Sequence, residues 1–278
     1  MVKVDVEKCI GCGLCKDDCL LNEIKIVDGK CSPVNKTCFG CGHCIAICPM
    51  NAVSPLNPDE EDEIVEMKAE EYDVDGEKLL NLIRFRRTVR KYKKDAISRG
   101  SFNKVLEAGR LSPTGMNSQE IRFVVFEKDL KELKETALKA LNDLADDTLA
   151  DADSPKAMKA YAHMWKNMYK QYHENGTDGL FYDAPAVVAV IANTKYNKLT
   201  PPIDGAIACA NMELMAHTMG LATCYIGFLK RAAIKDPEID KLLGLSPHEE
   251  LITSFCIGYP DVKYFRTVPR KKDKITWR

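Results

Sequence analysis

Net charge is almost absent from this chain: 40 Lys and Arg are set against 41 Asp and Glu, leaving −1. A balance that close removes any bulk electrostatic reason for binding nucleic acid or an anionic membrane surface. Long apolar runs are missing as well. The longest, residues 184–192, is far too short to span a bilayer and reads as a buried strand. No G-x-G-x-x-G follows a strand-like segment and no G-x-x-x-x-G-K-[ST] occurs, so neither a Rossmann nor a P-loop nucleotide site has support. The five histidines are scattered, without metal-ligand spacing. No secretory leader opens the sequence (MVKVDVEKC), so a cytoplasmic, thiol-reducing compartment is expected.

Cysteine is what the chain has in excess. Of 12 cysteines, nine crowd the first 48 residues, and eight of these form two runs of one spacing, C-x2-C-x2-C-x3-C. The first run is Cys9, Cys12, Cys15 and Cys19; the second is Cys38, Cys41, Cys44 and Cys48, followed by Pro49 where the first has Leu20. This is the thiolate pattern of two-cluster bacterial ferredoxins, in which each run lends its fourth cysteine to the other run's cluster. The pattern assigns Cys9, Cys12, Cys15 and Cys48 to one [4Fe-4S] cluster, and Cys38, Cys41, Cys44 and Cys19 to a second. Two-residue gaps let successive sulfurs point inward, and Gly11, Gly13, Gly40 and Gly42 allow the backbone to wrap. A disulfide-stapled secreted module is disfavoured by the regular repeat and the missing leader. Zinc is disfavoured because its sites use two CxxC pairs with longer gaps between them. Thiolates near solvent in such clusters also point to an oxygen-poor physiology. Cys31, between the runs, reads as a small buried packing residue rather than a ligand, as do Cys209, Cys224 and Cys256 among their apolar neighbours.

The composition divides the chain into an iron–sulfur module at 1–58, an acidic connector at 59–77 and a larger domain at 78–278. In the last, strand-like segments at 121–127, 186–193 and 252–260 are separated by amphipathic helical segments at 101–111, 130–145, 154–172 and 204–220. Strands and helices in unequal numbers predict an α+β sheet packed by helices. Residues 157–172 carry Tyr161, Met164, Trp165, Met168, Tyr169 and Tyr172 at helical spacing, which helix packing explains, the alternative being a lid over a ligand.

A second constellation is basic. Arg84, Arg86, Arg87, Arg90, Lys91, Lys93 and Lys94 cluster at the end of a predicted helix, and Arg270, Lys271 and Lys272 form another group near the C-terminus. Between them lies a polar loop running Pro113-Thr114-Gly115-Met116-Asn117-Ser118-Gln119. Arg86-Arg87-Thr88-Val89-Arg90 resembles the Arg-(Arg/His)-Ser-x-(Arg/Lys) element of nitroreductase-family flavoproteins. Residues 113–119 resemble their P-S-x-x-N-x-Q loop with Thr114 in place of serine. Asp183-Ala184-Pro185, the 204–220 segment and residues 220–227 match later landmarks. The likeness covers residues 79–278, and the front module is similar to the ferredoxin-like extension of some members.

That resemblance implies a nitroreductase-like sheet flanked by helices, preceded by the small 2[4Fe-4S] ferredoxin-like domain, in a homodimer that holds FMN at the subunit interface. It gives Arg86, Arg90 and Arg270, with Lys272, to the FMN phosphate, because guanidinium groups pair with phosphate as charge-assisted donors. Arg87 and Thr88 would lie beside the ring and ribityl chain. Asn117 and Gln119 would donate to ring or ribityl oxygens, and Pro113 and Thr114 would shape the wall. Tyr225, Ile226 and Gly227 would line the isoalloxazine. The flavin carries the redox chemistry and the protein tunes it. The implied activity is an electron relay between two [4Fe-4S] clusters and FMN that reduces a small acceptor: a nitroaromatic, a quinone or an enone-like compound. No general acid or base stands out. Electrons would come from NAD(P)H or from a carrier protein of ferredoxin or flavodoxin type. The rival is a non-catalytic hub that exchanges electrons only with such carriers.

Overall fold

The computed structural model describes residues 1–278. Two units separate: residues 1–74 with 115–118, and residues 75–114 with 119–278. No helix is long and apolar enough to cross a membrane.

The first unit is built as two similar halves. Strands β1 (Val2–Val4) and β4 (Val53–Pro55) pair antiparallel, as do β2 (Ile24–Val27) and β3 (Lys30–Pro33). One-turn helices α1 (Leu14–Asp17) and α2 (His43–Ala46) sit inside the two cysteine runs. Strands β2 and β4 follow the fourth cysteine of each run, so the sequence repeat is also a structural repeat. A short 3-10 turn at Pro58–Glu63 and helix α3 (Ala69–Tyr72) complete the connector, and neither buries a residue.

The second unit begins with α4 (Gly76–Phe85), where the Asp75 side chain accepts the Lys78 N–H at 2.9 Å and caps the first turn. Helix α5 (Arg99–Arg110) has Ser98 in the same role. Then come β5 (Ile121–Phe126), α6 (Leu130–Ala150), α7 (Lys156–Asn175), β6 (Ala186–Asn193) and α8 (Thr200–Thr218). The chain closes with β7 (Ala222–Tyr225), α9 (Gly227–Lys235), α10 (Glu238–Leu242) and β8 (Glu249–Gly258). The strands form one antiparallel sheet in the order β5-β6-β8-β7.

Period-two alternation on β6 explains the layering. Val187, Ala189 and Ile191 face a core made with Leu133, Leu141, Trp165 and Leu229 of α6, α7 and α9. Ala186, Val188 and Val190 face a second core with Phe102, Val105 and Met212 of α5 and α8. A strand buried on both faces reads as a continuous apolar run, which is why 186–192 looked strand-like in the sequence. Each large side chain buried this way contributes roughly 1.5–3 kcal/mol. The aromatic stripe on α7 divides accordingly: Trp165 is fully buried and Met168 nearly so, while Tyr161 and Met164 reach solvent.

Candidate functional site

In the first unit, one cavity is lined by Cys9, Cys12 and Cys15 of the first run together with Cys48 of the second, and by Cys31. Gly11, in the left-handed region at φ 68°, turns the loop there, and a side chain on it would collide with the Gly29 carbonyl. Backbone amides already aim at sulfur: Cys31 N–H at Cys9 Sγ, Glu23 N–H at Cys19 Sγ and Ala52 N–H at Cys48 Sγ, each at 3.3 Å, and Gly40 N–H at Cys38 Sγ at 3.4 Å. Such donors favour thiolates. The amides of Cys31 and Gly11 hold the Cys9 thiol below its ordinary pKa. Burial, with Cys38, Cys41 and Cys15 as neighbouring like charges, instead pushes the Cys44 thiol up to about 11. A thiol so placed carries a negative charge only when a cation compensates it, which bound iron does.

No three thiol, imidazole or carboxylate groups converge tightly enough to hold a single metal ion. His43 is engaged elsewhere, its Nδ1 lying 3.1 Å from Asp18 Oδ2. Cys31 is buried as expected of a packing residue, yet its sulfur lies 3.5 Å from Cys15 Sγ, inside the thiol cavity.

In the second unit, Arg86 ends α4 and the chain then runs extended past β7, with Val89 N–H on the Thr223 carbonyl and Tyr92 bridged to Pro260. Arg86 Nη1 donates to Glu213 Oε1 at 2.8 Å, and the Thr223 hydroxyl donates to the same oxygen at 2.9 Å. Arg87 turns into a cleft of about 290 Å³, with its guanidinium 5.9 Å from the Tyr264 ring centroid. Lys263, Arg266 and His217 line that cleft as well. Burial, reinforced by nearby Arg86, pushes the His217 imidazole down, so it is neutral at pH 7. Thr88 is half-buried. Arg90 lies over the Tyr182 ring, 5.8 Å from its centroid, and lines a separate open cleft with Lys91, Lys94 and Asp178. Asp178 fixes that corner: it pairs with Lys134 at 2.6 Å and accepts the N–H groups of Leu180, Phe181 and Asp183.

The remaining predicted residues lie on other elements of the chain. Pro113 is exposed, and the Thr114 hydroxyl accepts the Gln119 N–H at 3.0 Å. The Asn117 amide, counted with the first unit, donates to the carbonyls of Phe39 and Gly40 at 3.2 and 3.0 Å. Tyr225 is 41% exposed at the end of β7. Ile226 is buried, with its N–H on the Ser254 carbonyl, and Gly227 opens α9 at the surface. Arg270 and Lys272 lie in the exposed extension after β8. Arg86 is thus paired with Glu213, Arg90 lines a different cleft, and Arg270 is exposed after β8. Sequence reasoning passed over Glu213, His217, Lys263 and Arg266. The signal for Glu213 was available: it is the one acid in the apolar stretch ACANMELMAH.

Comparisons with known proteins fall on the same two regions. The sequence profile of the nitroreductase family matches residues 83–259, and that of a 4Fe-4S binding domain matches residues 6–21 and 35–51. A nitroreductase with bound FMN from Bacteroides fragilis is similar in structure, with 24% identity, TM-score 0.54, and coverage of 73% of this chain and 98% of that one. Another with bound FMN, from Desulfitobacterium hafniense, has 26% identity, TM-score 0.54, and coverage of 72% and 97%. An NADPH-flavin oxidoreductase of Vibrio harveyi is 37% identical over 59 residues, 21% of this chain. The chain matches only 23% of that protein's length.

Proposed function

This chain belongs to the nitroreductase family and carries a 4Fe-4S binding domain, and on that premise we propose that it is an iron–sulfur flavoprotein oxidoreductase. In this reading two [4Fe-4S] clusters and FMN relay electrons so that a small acceptor, a nitroaromatic, quinone or enone-like compound, is reduced at the flavin face. The observation that carries it is the thiol cavity shared by Cys9, Cys12, Cys15 and Cys48, with backbone N–H groups directed at the sulfurs. Cys19, Cys38, Cys41 and Cys44 would hold the second cluster. The module would occupy residues 1–58, joined by 59–77 to an FMN domain at 78–278.

FMN would be anchored through its phosphate by Arg86, Arg90, Arg270 and Lys272. Arg87, Thr88, Pro113, Thr114, Asn117, Gln119 and Tyr225 to Gly227 would border the ring and ribityl chain. Arg86, held by the Glu213 carboxylate through one N–H, would offer its remaining donors to phosphate oxygens. A homodimer is supported by α4, which buries no residue and leaves Leu79, Leu80, Ile83 and Phe85 exposed. NAD(P)H or a ferredoxin- or flavodoxin-type carrier would supply electrons, in a reducing, oxygen-poor cytoplasm.

Anaerobic purification with iron, sulfide and flavin quantitation tests the cofactors, with eight iron and one FMN per chain expected. Stopped-flow reduction by NADH, NADPH and reduced ferredoxin, followed by reoxidation with nitroaromatics and quinones, tests the activity. Reoxidation by carrier proteins alone would establish the hub and overturn the enzyme.

A further inference from the structure

Four thiols suffice for one cluster, yet five line the first cavity. The fifth, Cys31, is only 5% exposed and makes two contacts with the candidate ligands. Its N–H lies 3.3 Å from Cys9 Sγ, and its own sulfur lies 3.5 Å from Cys15 Sγ. The internal repeat shows that this is specific to one half of the module. Each cysteine of the second run lies 29 residues after its counterpart in the first, and by the same interval Cys31 on β3 corresponds to Val2 on β1. Both are buried, but Val2 has no polar side chain and its N–H goes to Asn35 Oδ1 at 3.2 Å instead of to a cysteine sulfur.

Resting on the two-cluster reading above, we propose that Cys31 is a hydrogen-bonding partner of the first cluster's thiolates, and that it raises the reduction potential of that cluster alone. Once Cys15 binds iron its sulfur has only lone pairs to offer, so the proton in the Cys15–Cys31 contact is the one on Cys31. Adding an electron makes the cluster more negative, and N–H and S–H donors to its sulfurs stabilise the reduced form more than the oxidised one, so the potential rises. The second set of cysteines has no equivalent thiol. Burial of Cys9 and Cys15 acts in the opposite direction, because a less solvated site resists added negative charge. The contribution of Cys31 is therefore read from substitution rather than from the gap between the two native potentials.

The test is an anaerobic redox titration of the full chain, followed by electron paramagnetic resonance, with iron counted in every sample. Cys31→Val, which installs the residue found at the paired position, is expected to lower one midpoint and leave the other in place. Cys31→Ser keeps a donor and is expected to stay close to the native value. Val2→Cys is the reciprocal change and is expected to raise the midpoint that Cys31→Val leaves unmoved; it keeps the question decidable should Cys31→Val fold poorly. The proposal is overturned if Cys31→Val moves neither midpoint or moves both equally. It is also overturned if the Cys31 variants lose one cluster's worth of iron, which would make Cys31 a ligand. Native protein without any cluster signal would instead defeat the two-cluster reading, and this proposal with it.

Discussion

Seven residues form the buried core of the cysteine unit (Val2, Cys9, Cys15, Ile24, Cys31, Ala52 and Val53), and three of them are thiols. The sheet unit buries Trp165, Phe102, Phe181, Phe255 and a series of leucines completely. A unit with so little apolar area has to draw stability from bound metal, whereas the second has the packing to stand alone. The same contrast separates the kinds of information they carry in sequence: ligand spacing for one, periodicity for the other.

The largest effect is expected from removing iron. Chelation under anaerobic conditions should abolish the structure of residues 1–58 altogether, seen as visible bleaching and rapid proteolysis there, while the sheet unit keeps its melting transition. Simultaneous loss of both units would break the contrast. Next in size, Phe102→Ala should destabilise the sheet unit by about 3–5 kcal/mol, the cost of a large cavity in a closed core, without altering cluster absorption. Differential scanning calorimetry beside the visible spectrum checks both halves of that expectation.

A smaller effect is expected at Arg86. Losing a charge-assisted contact worth about 1.5–3 kcal/mol, Arg86→Ala should weaken FMN retention by roughly 10- to 100-fold in equilibrium dialysis, with the clusters intact. Undiminished retention would remove Arg86 from the phosphate assignment. The smallest concerns acid. Hydrogen bonds from Arg122, at 2.6 and 2.7 Å, hold the Glu249 carboxyl down from 4.5 to about 2. A depressed carboxyl contributes stability that is complete above its ordinary pKa and is lost as pH falls from 4.5 through about 2. Because Arg122 is 38% exposed, water screens the pair, and on the order of 1 kcal/mol is expected. Glu249→Gln should flatten that acid limb in the unfolding of the sheet unit. An unchanged limb would mean the pair contributes nothing.

Much of this arrangement was legible beforehand. Strands β5, β6 and β8 and helices α5 to α8 carry strong periodicity, and the cysteine runs carry fixed spacing. Strand β7 escaped notice because it is four residues long and exists through its pairing with β8. Helices α9 and α10 are short, and nothing in the sequence sets them apart from loop. At the candidate site, individual residue types could be named but their partners could not. Arg86 meets Glu213 from 127 positions away, and Asn117 reaches the Phe39 and Gly40 carbonyls across 78 and 77. Such pairings are made by the fold and leave no local trace. Cys31 is the instructive case: its burial followed from its neighbours, but its closeness to Cys15 required the β2–β3 hairpin to close.

The chain has two tryptophans, and they occupy opposite environments: Trp165 is wholly enclosed on α7 with its indole N–H unpaired, while Trp277 near the C-terminus is 89% exposed. Their fluorescence is thus divided into a blue-shifted emitter that answers to the state of the interior and a red-shifted, quencher-accessible one that answers to whatever covers the tail. Since the cysteine unit has neither, tryptophan emission reports only on the sheet unit, and its two components separate the fate of the interior from that of the tail.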